Sequence, residues 1–308
     1  MTGSGKALGL RKMKTEPAIR SGADPVSPAG EQWTTVIRPR HPWFHLEVGE
    51  VWRYRDLVRL FVRRDFVAQY KQTILGPLWF FLQPLFTTLV FTVVFGRIAK
   101  IPTDGIPDFL FYLSGTVCWG YFSACLVETS DTFVKNAPIF GKVYFPRLVV
   151  PVAVVISNVL KFSIQFLLFL FFLIYYYQGG APVAANLWVA ALPLLMVQMA
   201  LLGLGCGILI SSLTTKYRDL SLVVSFGVQL WMFATPVVYP LSQIPEPYRR
   251  ILVFNPMTAI VEGFRLAFLG ASSIGVQEVI LSVAVTLMLL FLGLVLFSRI
   301  EKTFMDTV

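Results

Sequence analysis

An all-α integral membrane fold is what these 308 residues predict, and three observations carry the prediction. Residues 162–215 run 54 positions without one Asp, Glu, Lys or Arg, and four shorter stretches, 78–96, 109–127, 220–245 and 279–298, also carry none. Crossing roughly 30 Å of hydrocarbon takes about 20 apolar residues in a helix. Helices suit lipid because their backbone polar groups are satisfied within the segment. Composition agrees: 56% of residues are hydrophobic, mean hydropathy is +0.69 and only 14% are charged, against about 25% in soluble domains.

The third observation is where the charge falls. Thirteen of the 26 Lys and Arg precede Pro77. With the N-terminus placed in the cytoplasm, loops on that side hold 20 of the basic residues and loops on the far side hold five. This is the positive-inside pattern, and it puts both termini in the cytoplasm. The net charge of +9 is therefore a topology signal and an anchor for anionic lipid, and no nucleic-acid partner is expected.

Three regions are expected in order. Residues 1–35, rich in Gly, Ser, Pro, Lys and Glu without apolar periodicity, read as a disordered cytoplasmic tail. Residues 36–76 form a cytoplasmic segment in which Val51, Tyr54, Val58, Phe61, Val62 and Phe66 recur at helical spacing among Arg53, Arg55, Arg59, Arg63, Arg64 and Lys71. One apolar stripe surrounded by arginine predicts an amphipathic helix lying in the membrane interface, since no other segment is expected to cover the stripe. Gly76-Pro77 ends it and turns the chain into the bilayer.

Residues 77–308 hold six spans at about 78–97, 108–130, 147–177, 187–213, 219–240 and 278–299. Gln178-Gly179-Gly180-Ala181-Pro182 supplies the break inside the long uncharged run. Residues 241–277, proline-rich yet apolar in part, predict a re-entrant helical hairpin between spans five and six. No signal peptide is expected, because the first 77 residues lack a short apolar core followed by small residues.

Chemistry is sparse. Gly3-Ser4-Gly5-Lys6 is followed by Ala7 where a phosphate loop needs Ser or Thr, and Gly141-Lys142 is followed by Val143. No nucleotide site, cofactor or metal is expected in this chain, and its two histidines, His41 and His45, flank a proline. Cys118, Cys125 and Cys206 all fall within spans and read as packing. Nothing resembles a nucleophile and base, so the chain is not expected to be an enzyme. Proton coupling is disfavoured because residues 162–215 offer no carboxylate. Lys161 and Glu128 are ionisable groups near span ends. Snorkelling or an ion pair is the first reading of Lys161, and pore lining the second.

Aromatic residues number 27 Phe, 11 Tyr and 7 Trp. Rings concentrate in spans one, two and five, where Trp79, Phe80, Phe86, Phe91, Trp119, Phe226, Trp231 and Phe233 are candidates to stack on sugar faces along a conduit. Ordinary span composition is the competing reading. Gly203-Leu204-Gly205-Cys206-Gly207 offers a GxxxG spacing for close helix packing, within or between protomers.

Four stretches carry a family resemblance. Arg64-Asp65-Phe66, then Tyr70-Lys71-Gln72-Thr73-Ile74-Leu75-Gly76-Pro77-Leu78-Trp79 and Gln83-Pro84, resemble the entry to span one in the ABC type-2 permeases of polysaccharide exporters. The segment from Asn136-Ala137-Pro138 to Phe145-Pro146-Arg147 is similar to that family's connection between spans two and three. Tyr217-Arg218-Asp219 resembles its turn between spans four and five, and Asn255-Pro256 through Arg265 its element before span six.

The resemblance implies a membrane subunit that exports lipid-linked polysaccharide, paired with a second copy of itself and with a separate ABC ATPase subunit. It implies that residues 131–147 form a coupling helix docking on that ATPase, with Asn136, Lys142, Tyr144, Phe145, Pro146, Arg147, Tyr217, Arg218 and Asp219 as coupling residues. Arg59, Arg63, Arg64 and Lys71 become candidates for the diphosphate of an undecaprenyl-linked glycan, with lipid anchoring as the competing role. The location implied is the bacterial inner membrane. A permease for a drug, haem or lipid remains the alternative, and an ATP-independent flippase, a membrane glycosyltransferase and a scaffold are the others.

Overall fold

The computed structural model describes residues 48–303 apart from 71–75, 144, 184, 215–218, 271 and 273, all within the unit Phe44–Val308. The tail expected over 1–35 lies outside the described residues. Among them there are eleven α-helices and no strand. Two short helices come first, α1 (Val48–Arg53) and α2 (Arg55–Tyr70).

After the turn Gly76–Leu78, where Gly76 takes φ +44°, α3 runs Trp79–Phe91 and continues as a π-helical segment Thr92–Ile98. Then follow α4 (Asp108–Ser130), α5 (Thr132–Phe140), α6 (Val149–Gln178), α7 (Leu192–Thr214) behind a 3-10 turn Leu187–Ala191, and α8 (Leu220–Phe233). The chain ends in α9 (Glu246–Val253), α10 (Pro256–Leu269) and α11 (Val276–Thr303).

Five helical segments are long and apolar enough to cross a bilayer: Trp79–Ile98, Asp108–Ser130, Val149–Gln178, Leu187–Thr214 and Val276–Arg299. They match five of the six expected spans. α4 is the hub, with 78% of its apolar stretch buried against 11% in α3 and 17% in α11. Around it, glycines set the spacing. A Cβ on Gly207 would fall 2.5 Å from Thr129 Cβ of α4, and one on Gly205 2.8 Å from Leu290 Cα of α11. The small-residue stripe of α7 thus packs inside the protomer, between α4 and α11.

The expected fifth span, 219–240, is helical only over Leu220–Phe233, and its last residues continue it without helix. α8 has 14 residues, about 21 Å, too short to cross alone. It stops at Phe233 because Thr235-Pro236 follows, and the residue before a proline is driven from helical geometry. The continuation Thr235–Val238 is buried, which is where non-helical backbone is tolerated at membrane depth.

α9 and α10 bend by 99° across a short break, so together they form either a broken span or a hairpin. Asn255 caps α10, its Oδ1 accepting from Met257 N at 3.1 Å while its Nδ2 donates to Ala234 O at 3.0 Å. α10 is thereby fastened to the end of α8.

For α2, the premise that no segment covers its stripe is what changes. Its stripe has a cover: Val58 and Phe61 are buried in a cluster with Phe133 and Phe140 of α5, Phe145, Leu148 to Val150, and Phe297 of α11. Hydropathy alone does not reveal that the connection between spans two and three is apolar on the side facing α2.

Candidate functional site

Two ends of the helical bundle differ in chemistry. At the α5 end, Phe145 sits between two rings, 5.7 Å from Phe61 and 5.6 Å from Phe140, and Phe140 lies 5.9 Å from Phe133. Arg147 is buried with its guanidinium 5.7 Å from the Phe140 ring. Asn136 is also buried, its Nδ2 donating to Thr132 O at 3.0 Å.

Lys142 is exposed. The expected coupling residues therefore divide: Asn136, Phe145 and Arg147 hold the connection in shape, and Lys142 stands on its surface. Asp219 is exposed at the start of α8, whereas Tyr144, Tyr217 and Arg218 lie outside the described residues.

The cations of α2 turn outward. Arg59 and Arg63 are exposed one turn apart, with Arg59 Nη1 3.3 Å from Asp56 Oδ1. Arg64 is engaged on both sides, donating to Asp65 Oδ1 at 2.8 Å and lying 4.6 Å over the Phe61 ring. Leu60 and Val67 are exposed among them. Lys71 lies outside the described residues.

The ring candidates separate by exposure. Trp79, Phe86, Phe226 and Phe233 are exposed, at 53%, 54%, 62% and 48%. Phe80, Phe91 and Trp231 are half-buried. Trp119 is in the core, 5.3 Å from Phe122 and 6.3 Å from Trp231. It backs the wall of α8 and does not line an open face.

Polarity distinguishes the open helix faces more sharply. The exposed positions of α11 between 280 and 296 are all apolar, and those of α6 between 156 and 174 include only Ser163, whose hydroxyl bonds back to Val159 O at 2.8 Å. By contrast α3 exposes Gln83 one turn from Phe86, and α8 exposes Gln229 between Phe226 and Phe233, while Ser225, like Ser163, bonds back to its own helix, at Ser221 O, 3.1 Å. An amide costs several kcal/mol to leave in hydrocarbon without a partner, roughly 2–7 depending on reference. Each of those two faces thus carries one exposed amide, Gln83 or Gln229, among apolar and aromatic neighbours.

Comparison with known proteins then decides the family. A family model described as ABC-2 type transporter matches residues 56–269, from α2 through α10. The chain belongs to the ABC-2 type transporter family.

Relatives of this ABC-2 chain include the O-antigen export system permease protein RfbA of Klebsiella pneumoniae, 27% identical over 252 residues, covering 82% of this chain and 94% of that one. The protein of the same name in Myxococcus xanthus is 28% identical over 265 residues, covering 85% and 98%. The polysialic acid transport protein KpsM of Escherichia coli is 27% identical over 249 residues, covering 79% and 93%.

One feature of this ABC-2 fold escaped sequence reasoning. Arg265, noted there as a far-side charge and as the end of the stretch from Asn255 but given no role, is 1% exposed. Its Nη1 donates to Pro236 O at 2.6 Å and to Glu262 Oε1 at 3.1 Å, its Nη2 to Val237 O at 2.8 Å, and its Nε to Ser114 Oγ at 3.3 Å. The guanidinium also stacks 3.6 Å from the Phe111 ring. One side chain thus clamps α10, the start of α4 and the extension of α8. The available signal was an arginine in an apolar run three residues after Glu262.

Proposed function

We propose that this ABC-2 chain is the membrane permease of an ATP-driven exporter that moves a lipid-linked polysaccharide out of the cytoplasm. The curated relatives carry polysaccharide export or transport in their names, and that supports the substrate class. The observation that carries the reading is the pair of faces on α3 and α8 where rings alternate with Gln83 and Gln229. A sugar polymer presents both C–H faces, which stack on rings, and hydroxyls, which bond to amides. Trp79, Phe86, Phe226 and Phe233 would line such a conduit, with Phe80, Phe91 and Trp231 behind them and Trp119 as backing. A second copy of the chain closes the conduit by facing these same surfaces.

In this reading the α5 end is cytoplasmic and the termini lie on that side, in the bacterial inner membrane. A separate ABC ATPase subunit docks on residues 131–147 and the turn at 217–219. A rigid connection is needed to turn ATPase closure into span movement, and Phe145 between Phe61 and Phe140 supports such rigidity. α2 lies at the membrane interface, where Arg59, Arg63, Arg64 and Lys71 meet the diphosphate of an undecaprenyl-linked glycan and the anionic lipid around it. The bent pair α9–α10 serves as a re-entrant hairpin at the exit.

The test is reconstitution with the ATPase subunit in vesicles. ATP hydrolysis is expected to rise with lipid-linked glycan and not with a panel of small drugs, haem or plain phospholipid. Gln83→Leu with Gln229→Leu should lower glycan export about tenfold while the fold stays intact, since exposed positions away from packing contribute within about 0.5 kcal/mol. Stimulation by a drug and not by glycan would replace this reading with the alternative substrate class.

A further inference from the structure

Glu128 stands two residues before the end of α4, and Lys161 twelve residues into α6. Lys161 Nζ donates to Glu128 Oε1 at 2.7 Å, and Asn158 Nδ2 donates to Glu128 Oε2 at 2.9 Å. Asn158, fully buried, and Lys161 are three residues apart on one face of α6, so both carboxylate oxygens are held by the same helix. Lys161 lies 17 residues from the far end of α6, about 26 Å along the axis. With Gln178 at the far boundary of a roughly 30 Å hydrocarbon layer, Lys161 comes close to the opposite edge, where a charged pair is tolerated. The pair also accounts for Lys161 without a pore.

The position along the chain gives this triad its meaning. Between Glu128 and Lys161 runs the connection that holds α5 and the ring cluster Phe133, Phe140 and Phe145. The triad closes that connection into a loop, tying the two spans that emerge from it. On the other flank of α4, Thr214 Oγ1 donates to Ser130 O at 2.9 Å. Apolar packing between α4 and α6 is non-directional, and charge-assisted bonds add a directional constraint on register.

We propose that Glu128 is a positioning residue that, through Lys161 and Asn158, locks α4 to α6 so that a push on residues 131–147 moves both spans together. The proposal rests on the reading of that connection as the ATPase contact. Without the lock, the push spreads the spans and ATP is hydrolysed with little movement of substrate. The effect sits in the ratio of export to hydrolysis and not in assembly.

Two measurements test it on the full chain with its ATPase subunit. Glu128→Gln and Lys161→Met should each lower the glycan exported per ATP about fivefold, within the range of coupling changes seen at non-contacting residues. Co-purification of the subunits should stay at the wild-type level. The exchange Glu128→Lys with Lys161→Glu should restore the ratio to near wild type. The second measurement needs no substrate. Spin labels at Val134 and Ile156, both exposed, report the α5–α6 distance, with Cys118, Cys125 and Cys206 buried and unlabelled. The distribution should be narrow in the wild type, broad in Glu128→Gln and narrow again in the exchange.

Equal widths in all three proteins overturn the lock, as does a wild-type export ratio in the single variants. An exchange no better than the worse single variant also overturns it. Absence of glycan-stimulated hydrolysis in the wild-type complex overturns the functional reading instead, and the distance measurement still decides the lock.

Discussion

Two ion pairs sit at opposite ends of α4, and the shorter one is the more exposed. Lys161–Glu128 spans 2.7 Å with side chains 16% and 35% exposed, while Arg265–Glu262 spans 3.1 Å with side chains 1% and 4% exposed. Burial, and not distance, ranks them. Removing one partner of the buried pair leaves a charge where water cannot reach it. Removing one partner of the other leaves a charge that water and headgroups screen. The two ends of one span are therefore fastened differently: a fully buried clamp at the α10 end, and a partly exposed ion pair at the α5 end.

Arg265→Met should be the most damaging change. It leaves Glu262 with only the Ser272 hydroxyl, at 3.0 Å, and removes the donors to the carbonyls of Pro236 and Val237, costing about 3–5 kcal/mol, read by thermal unfolding in lipid nanodiscs. The double variant with Glu262→Gln should recover a measurable part; no recovery would show that packing and not charge sets the loss.

Gly115→Ala comes next. Its new methyl would lie 3.0 Å from Val237 O and 3.1 Å from Arg265 Nη2, costing about 1–3 kcal/mol by overpacking the same clamp. Lys161→Met should cost less, about 1 kcal/mol or below. A loss larger than that of Arg265→Met would reverse the ranking. Asp56→Asn should be smallest, within about 0.5 kcal/mol, because the Arg59–Asp56 pair has side chains 77% and 82% exposed.

Hydropathy made five spans legible, and for α4 the expected limits, 108–130, are those observed. It overran α8 because it weighs apolar character and is blind to backbone geometry: Val237 and Val238 are apolar yet lie beyond Pro236. The cover over Val58 and Phe61 was missed for a related reason. Phe140 and Phe145 are scattered among Lys142 and Arg147, so no periodicity announces them. Glu262 was the one mark of the clamp at Arg265, because its other acceptors, at Pro236, Val237 and Ser114, lie far along the chain and sequence does not join them. The Gly203, Gly205 and Gly207 stripe was read as packing, and only coordinates chose the protomer's own α4 and α11 as its neighbours.

In the proposed permease α3 and α8 face a watery conduit while α6 and α11 face lipid. Single cysteines at Phe86, Gln229, Leu167 and Leu287 test this directly, since Phe86, Leu167 and Leu287 are similarly exposed, at 54%, 62% and 52%. Labelling with a membrane-impermeant maleimide during ATP turnover should be fast at Phe86 and Gln229 and negligible at Leu167 and Leu287. Equal labelling at all four, or faster labelling on α6 and α11, would contradict it.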